Sequence, residues 1–126
     1  MAIDRTKLAA RLDAERTTFR DARPASRAAA TEAAEHLIAG VPMTWMAKWA
    51  GGFPMFLREA RGSRITDIDG HTYFEFALGD TGAMAGHSPA PPIDAVQRQL
   101  TEVGGITAML PTADAAWVAA ELTPRF

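Results

Sequence analysis

An Asp-Gly pair at positions 69 and 70 constrains this chain more than any other feature. It stands between two β-prone runs, 64–68 and 71–78, and a two-residue Asp-Gly loop is a strong signal for a tight hairpin of type I′. Glycine takes a positive φ without a Cβ clash, and aspartate tolerates one. Counting outward from such a loop predicts a register in which Ile68 faces His71, Thr66 faces Tyr73 and Ile65 faces Phe74. Ile65, Phe74, Phe76 and Leu78 then share one face, and Arg64 and Glu75 pair across the other. A preceding strand over 55–60, with a turn at Arg61-Gly62, completes a three-stranded antiparallel meander. Such a sheet is stable only when one face is covered.

Around this sheet the sequence predicts helices. Asp4 is placed to cap a helix over 4–21 with Leu8, Leu12 and Phe19 near one stripe, and Pro24 ends it. Ser26 is placed to cap a second helix running to Ile38, with Gly40 at its C′ position. Pro91-Pro92 opens a third, with Ile93, Val96, Leu100 and Val103 at helical spacing and Gly104-Gly105 as its stop. Thr112 caps a fourth, with Asp114 in its first turn, and Pro124 breaks it. Between the second helix and the sheet, 40–53 reads GVPMTWMAKWAGGF, an apolar segment rich in tryptophan and methionine.

Charge and composition remove several function classes. The formal net charge of −2 gives no electrostatic case for nucleic acid or an anionic membrane. There is no cysteine, so disulfide frameworks and thiolate metal sites are excluded. No apolar run approaches the ~20 residues of a membrane span, and the charged N-terminus lacks a signal-peptide core. A cytoplasmic protein is expected. His36, His71 and His87 have no metal-ligand spacing. Asp67 and Asp69 resemble a carboxylate pair, but Asp69 has a turn to make. Ser88 follows His87 directly, which denies them the geometry of a nucleophile and its base. The Gly79-Asp80-Thr81-Gly82 loop, where the backbone turns sharply or approaches something closely, is the best candidate site.

The order Gly62, Asp67, Asp69-Gly70, Tyr73, Glu75, Gly82, Gly86-His87 and Pro89 resembles the N-terminal region of class III aminotransferases, which depend on pyridoxal 5′-phosphate (PLP). The group includes glutamate-1-semialdehyde aminomutases and ω- and β-amino-acid transaminases. The resemblance implies an α+β fragment: N-terminal helices, a three-stranded antiparallel sheet, then helices leading into a large α/β domain of fold type I that is missing from this chain. It divides the chain into a helical arm and Trp/Met-rich loop (1–52), a small sheet with its glycine loop (53–90), and the start of the large domain (91–126).

The resemblance also implies roles. In the family a Gly-Val loop after the first helix lies over the substrate; Gly40 and Val41 match it, while Pro42 and Met43 replace the polar residues expected next. Val41, Trp45, Thr81 and Gly82 are thereby candidate substrate-binding residues, with a more apolar pocket than usual. Trp45 and Trp49 are alternatively a cover for the sheet or an interface. Ile106 and Thr107, on a loop that crosses to the partner subunit in the family, are candidate cofactor-binding residues. The cofactor needs a lysine and a phosphate-binding helix N-terminus. Only Lys7 and Lys48 are present, both upstream of the sheet, and in the family the lysine lies far downstream. No catalytic residue is therefore assigned, and the isolated chain is expected to be inactive and not to bind PLP. The parent is expected to be a homodimer moving an amino group between an amine or amino acid and a keto acid or aldehyde. An aminomutase and a non-catalytic interaction module are the alternatives.

Overall fold

The structure, a computed structural model, describes residues 3–104 and 109–126. The chain divides into two units, Met1–His87 and Ser88–Phe126.

In the first unit, α1 (Arg5–Asp21) starts as expected: the Asp4 side chain accepts the Lys7 amide. Ala22 and Arg23 separate it from α2 (Pro24–Ala33), which proline opens at its first position. Ser26 does not cap α2, and the helix does not reach Ile38. Ser26 lies inside the first turn, fully buried, and its hydroxyl donates to Asp69 Oδ2 at 2.6 Å. The cap comes from that same Asp69 carboxylate, which accepts the Ala25 and Ser26 amides at 2.7 and 2.9 Å. Beyond α2 the chain tightens into a 3₁₀ turn at Ile38–Gly40, with Ala39 and Gly40 both left-handed (φ +57° and +69°). A Cβ on Gly40 would stand 3.2 Å from the Ala30 carbonyl oxygen, so this turn presses against α2.

The sheet is the expected meander: β1 (Leu57–Arg61), β2 (Arg64–Asp67) and β3 (Thr72–Phe74), antiparallel in that order. A bulge at Arg58 interrupts the first pairing. Gly62, at φ +56°, takes the first position of the two-residue loop between β1 and β2.

The second hairpin differs from the sequence expectation by one residue. Arg64 pairs with Phe74, Ile65 with Tyr73 and Thr66 with Thr72. The loop is Ile68-Asp69-Gly70, with the Gly70 amide bonded to the Asp67 carbonyl at 3.1 Å. Only Gly70 has a positive φ, +94°, so the turn is not type I′. Asp69 is spared the left-handed conformation, and its carboxylate reaches α2 instead. Because side chains alternate along a strand, a one-residue slip turns every β3 side chain to the other face. Ile65 therefore shares a face with Tyr73, not with Phe74, Phe76 and Leu78. Arg64 lies over the Phe74 ring, 4.4 Å from its centroid, instead of pairing with Glu75.

In the second unit, α3 (Ala90–Arg98) runs into a π-helical turn at Gln99–Val103. Gly104, at φ +84°, stops it, its amide bonding back to the Gln99 carbonyl at 2.8 Å. α4 (Ala113–Leu122) begins after Thr112, whose side chain makes no capping bond.

What is buried in the described residues is mostly polar. Val41 and Ala83 are the buried hydrophobics, whereas Ser26, Thr66 and Asp67 are buried polar residues. The centre of the first unit is thus a hydrogen-bonded knot joining α2 to the sheet.

Candidate functional site

That knot sets the geometry of everything near it. Asp67 Oδ1 accepts the His71 amide at 2.8 Å. Its Oδ2 accepts the Tyr73 hydroxyl at 2.9 Å and lies 3.2 Å from His71 Nδ1. Tyr73 in turn accepts Arg23 Nη2 at 2.7 Å, and Arg23 Nε stands 3.7 Å from Asp67. Burial disfavours the charge on Asp67, but the His71 amide, the Tyr73 hydroxyl and the His71 ring outweigh it, and the carboxyl titrates below the usual range. For Asp69, burial is likewise outweighed by the Ser26 hydroxyl, the Ser26 and Ala25 amides and the charge on His71. Burial pushes the Tyr73 hydroxyl up, and its bond to Asp67 adds to this against the pull of Arg23. Both carboxylates are engaged by amides and hydroxyls of the fold itself. Arg23 and Tyr73 were not legible as partners of Asp67, because the slipped register is what brings Tyr73 there.

Two features flank the knot in the first unit. The first is an apolar groove of about 440 Å³. Val41 and Trp45, two of the predicted substrate-side residues, line it together with Met46 and Trp49. Leu57 of β1 and Ile65 of β2 also line it. Among the described residues no ionisable side chain lines it. Val41, 6% exposed, follows the left-handed pair Ala39-Gly40.

The second feature carries Thr81 and Gly82. Leu78, Gly79, Asp80 and Thr81 have consecutive positive φ values of +55°, +53°, +51° and +75°. This is a left-handed turn, closed by the Ala83 amide on the Leu78 carbonyl at 2.8 Å. Each non-glycine residue there costs roughly 1–2 kcal/mol relative to a right-handed conformation. Glu75 Oε2 offsets part of that cost by accepting the Gly79 amide at 3.1 Å, and it stands 3.3 Å from His87 Nε2. His87 is bonded through its backbone to Gly62 in both directions, at 2.8 and 2.9 Å. Glu75 was read from sequence as a cross-strand partner of Arg64. An acid ahead of a glycine-rich loop that ends on a histidine is the signal that would have found this clamp.

Thr81 and Gly82 do not line the groove that holds Val41 and Trp45, so the four candidates fall into two places. Ile106 and Thr107 lie outside the described residues. Lys7, on α1, and Lys48 are both exposed, and neither lines the groove. Among the described residues no group of three or more His, Asp or Glu side chains able to hold a metal occurs, and no described helix is long and apolar enough to cross a membrane.

No family model matches the chain. Among curated proteins it is 36% identical over 73 residues to an acetylornithine aminotransferase of Corynebacterium efficiens, covering 58% of this chain and 18% of that protein. It is 34% identical over 93 residues to a glutamate-1-semialdehyde 2,1-aminomutase of Sorangium cellulosum, covering 73% and 21%. Among solved structures, a glutamate-1-semialdehyde aminomutase from Pseudomonas aeruginosa matches all of this chain and 27% of its own, at 42% identity and a TM-score of 0.89. A second structure of that aminomutase is a complex with PMP. The chain thus spans about a fifth to a quarter of the length of its relatives. In sequence and in fold, the chain corresponds to the N-terminal region of the class III PLP-dependent aminotransferases.

Proposed function

We propose that this chain is the substrate-side portion of a PLP-dependent aminotransferase, which moves an amino group between an amine or amino acid and a keto acid or aldehyde. The observation that carries this reading is the match of the whole chain, at 42% identity, to the aminomutase fold. Bound PLP would supply the electron sink for that transfer. We assign no step of that transfer to this chain alone.

Within this reading, Val41 and Trp45 contact the substrate from the groove, and Thr81 and Gly82 from the left-handed turn. Ile106 and Thr107 belong to the cofactor side. Residues 1–52 act as the arm, 53–90 as the small sheet and loop, and 91–126 as the start of a larger domain. A homodimer and a cytoplasmic location go with the same reading.

The test is to express the whole reading frame that encodes these residues, add PLP and supply amines with and without a keto acid. Amine-dependent conversion of the bound cofactor, matched by keto-acid turnover, is expected. A purified, folded product that neither retains PLP nor converts it overturns the proposal. The 126-residue chain mixed with PLP and reduced with borohydride should show no stoichiometric label on Lys7 or Lys48.

The names of two relatives favour a second reading, an aminomutase that moves the amino group within one substrate. Isomerisation of a single substrate with no external keto acid would distinguish it.

A further inference from the structure

No residue of α1 is buried. The helix is fixed to the rest of its unit at its C-terminal end. There the Phe19 ring rests against Gly51, lies 5.1 Å from the Phe53 ring and carries the Arg23 guanidinium 4.3 Å from its centroid. A helix of this length is marginal in water by itself, so its order calls for a packed face. The sequence supplies one. Arg5, Leu8, Leu12 and Glu15 recur at steps of three, four and three, which places them on one stripe. Leu8 and Leu12 are 58% and 45% exposed, so the stripe is open. Leu12 and Glu15 also border a groove shared with Gly51, which leaves that end of the stripe unobstructed.

The stripe is complementary to itself when reversed. Forwards it runs cation, leucine, leucine, anion; backwards it runs anion, leucine, leucine, cation. Two copies laid antiparallel about a two-fold axis level with Ala10 set Leu8 against the partner's Leu12, and Arg5 against the partner's Glu15. A parallel pair would stack like charge on like. The charge along the helix has the same sense: 4–11 carries three cations and one anion, and 13–21 three anions and two cations.

We propose that α1 is a self-recognition surface, which pairs antiparallel with α1 of a second copy of this chain through Arg5, Leu8, Leu12 and Glu15. The proposal rests on the homodimer of the reading above and says where its two arms meet. Burial of the two Leu8 and two Leu12 side chains drives the contact. The two Arg5–Glu15 pairs fix its sense and register more than they add affinity.

The test is a disulfide across the pair. Positions 5 and 15 of one helix are about 15 Å apart, too far for a bridge within one chain, which needs Cα atoms about 4.4–6.8 Å apart. The whole-frame product carrying Arg5→Cys and Glu15→Cys, treated with oxidised glutathione, is expected to give a disulfide-linked dimer. Its yield should exceed that of either single variant by at least about tenfold, because the two-fold holds like positions about 15 Å apart. The single variants also measure the background from any cysteine elsewhere in the frame. Lys7→Cys with Asp13→Cys, at matching levels but away from the stripe, is expected to stay at that background. If circular dichroism shows the first variant unfolded, Leu8→Cys chains co-expressed with Leu12→Cys chains serve in its place. No linked dimer, or equal linkage in a single variant or in the Lys7→Cys, Asp13→Cys pair, overturns the proposal. These outcomes read contact and not turnover. An active dimer without the link keeps the proposed function and sinks this pairing; a linked dimer without turnover does the reverse.

Discussion

At Gly70 the chain takes a φ of +94°, and a Cβ there would meet nothing within 4 Å. The penalty for replacing it is therefore one of backbone conformation alone, and a β-branched residue pays it in full. Gly70→Val is expected to destabilise the first unit by about 1–3 kcal/mol, read as a lower thermal midpoint. An unchanged midpoint would mean that the hairpin turns elsewhere. The two aspartates beside it make a second prediction. Both carboxyls titrate lower in the folded chain than when unfolded. A depressed folded pKa gives stability that is fully present above the unfolded value and is lost as pH falls through the folded one. Stability should therefore fall below about pH 4, and Asp69→Asn, which removes one titrating group, should flatten that acid limb in denaturant midpoints measured against pH. A limb of the same slope would show that Asp69 carries no linked proton.

Among the elements, those bounded by local chemistry were legible in the sequence. Asp4 starts α1, Pro24 follows its end, the Pro91-Pro92 pair lies in the first turn of α3, and Gly104 stops the turn that follows it. The hairpin was legible in place but not in register. The Asp-Gly pair carries the signature of one turn, while Asp69 is drawn away by the unsatisfied amides of a helix more than forty residues upstream. The groove was legible only in part: Trp45 and Trp49 announce an apolar patch, but nothing local ties Leu57 and Ile65 of the sheet to it. The left-handed turn was visible only as a cluster of glycines, since Leu78, Asp80 and Thr81 give no hint that they share its conformation. Glu75 holds that turn, and Glu75→Ala should release it. Faster hydrogen exchange at the Gly79 and Ala83 amides is expected, with a loss of about 1–2 kcal/mol. Exchange that stays slow would assign the whole task to the Gly62–His87 bridge.

On the scale of the molecule, the balance between buried and exposed surface is unlike that of a self-sufficient domain. Among the described residues, two buried hydrophobics are set against exposed Trp45 and Trp49 in the first unit, and exposed Trp117, Val118 and Leu122 on α4. Exposed large apolar side chains of this kind favour association. Light scattering on the 126-residue chain is expected to show mass rising with concentration, and a clean monomer at high concentration would favour the independent module. The capping of α2 by Asp69 also has a consequence in time. The helix is synthesised 43 to 44 residues before the carboxylate that completes it. At the pace of translation, ~5–20 residues per second, α2 waits ~2–9 s with its first amides open. Its ten residues are too few to hold a helix in water unaided. The N-terminal arm is thus made early and shaped late, and closure of the second hairpin is the event on which its order depends.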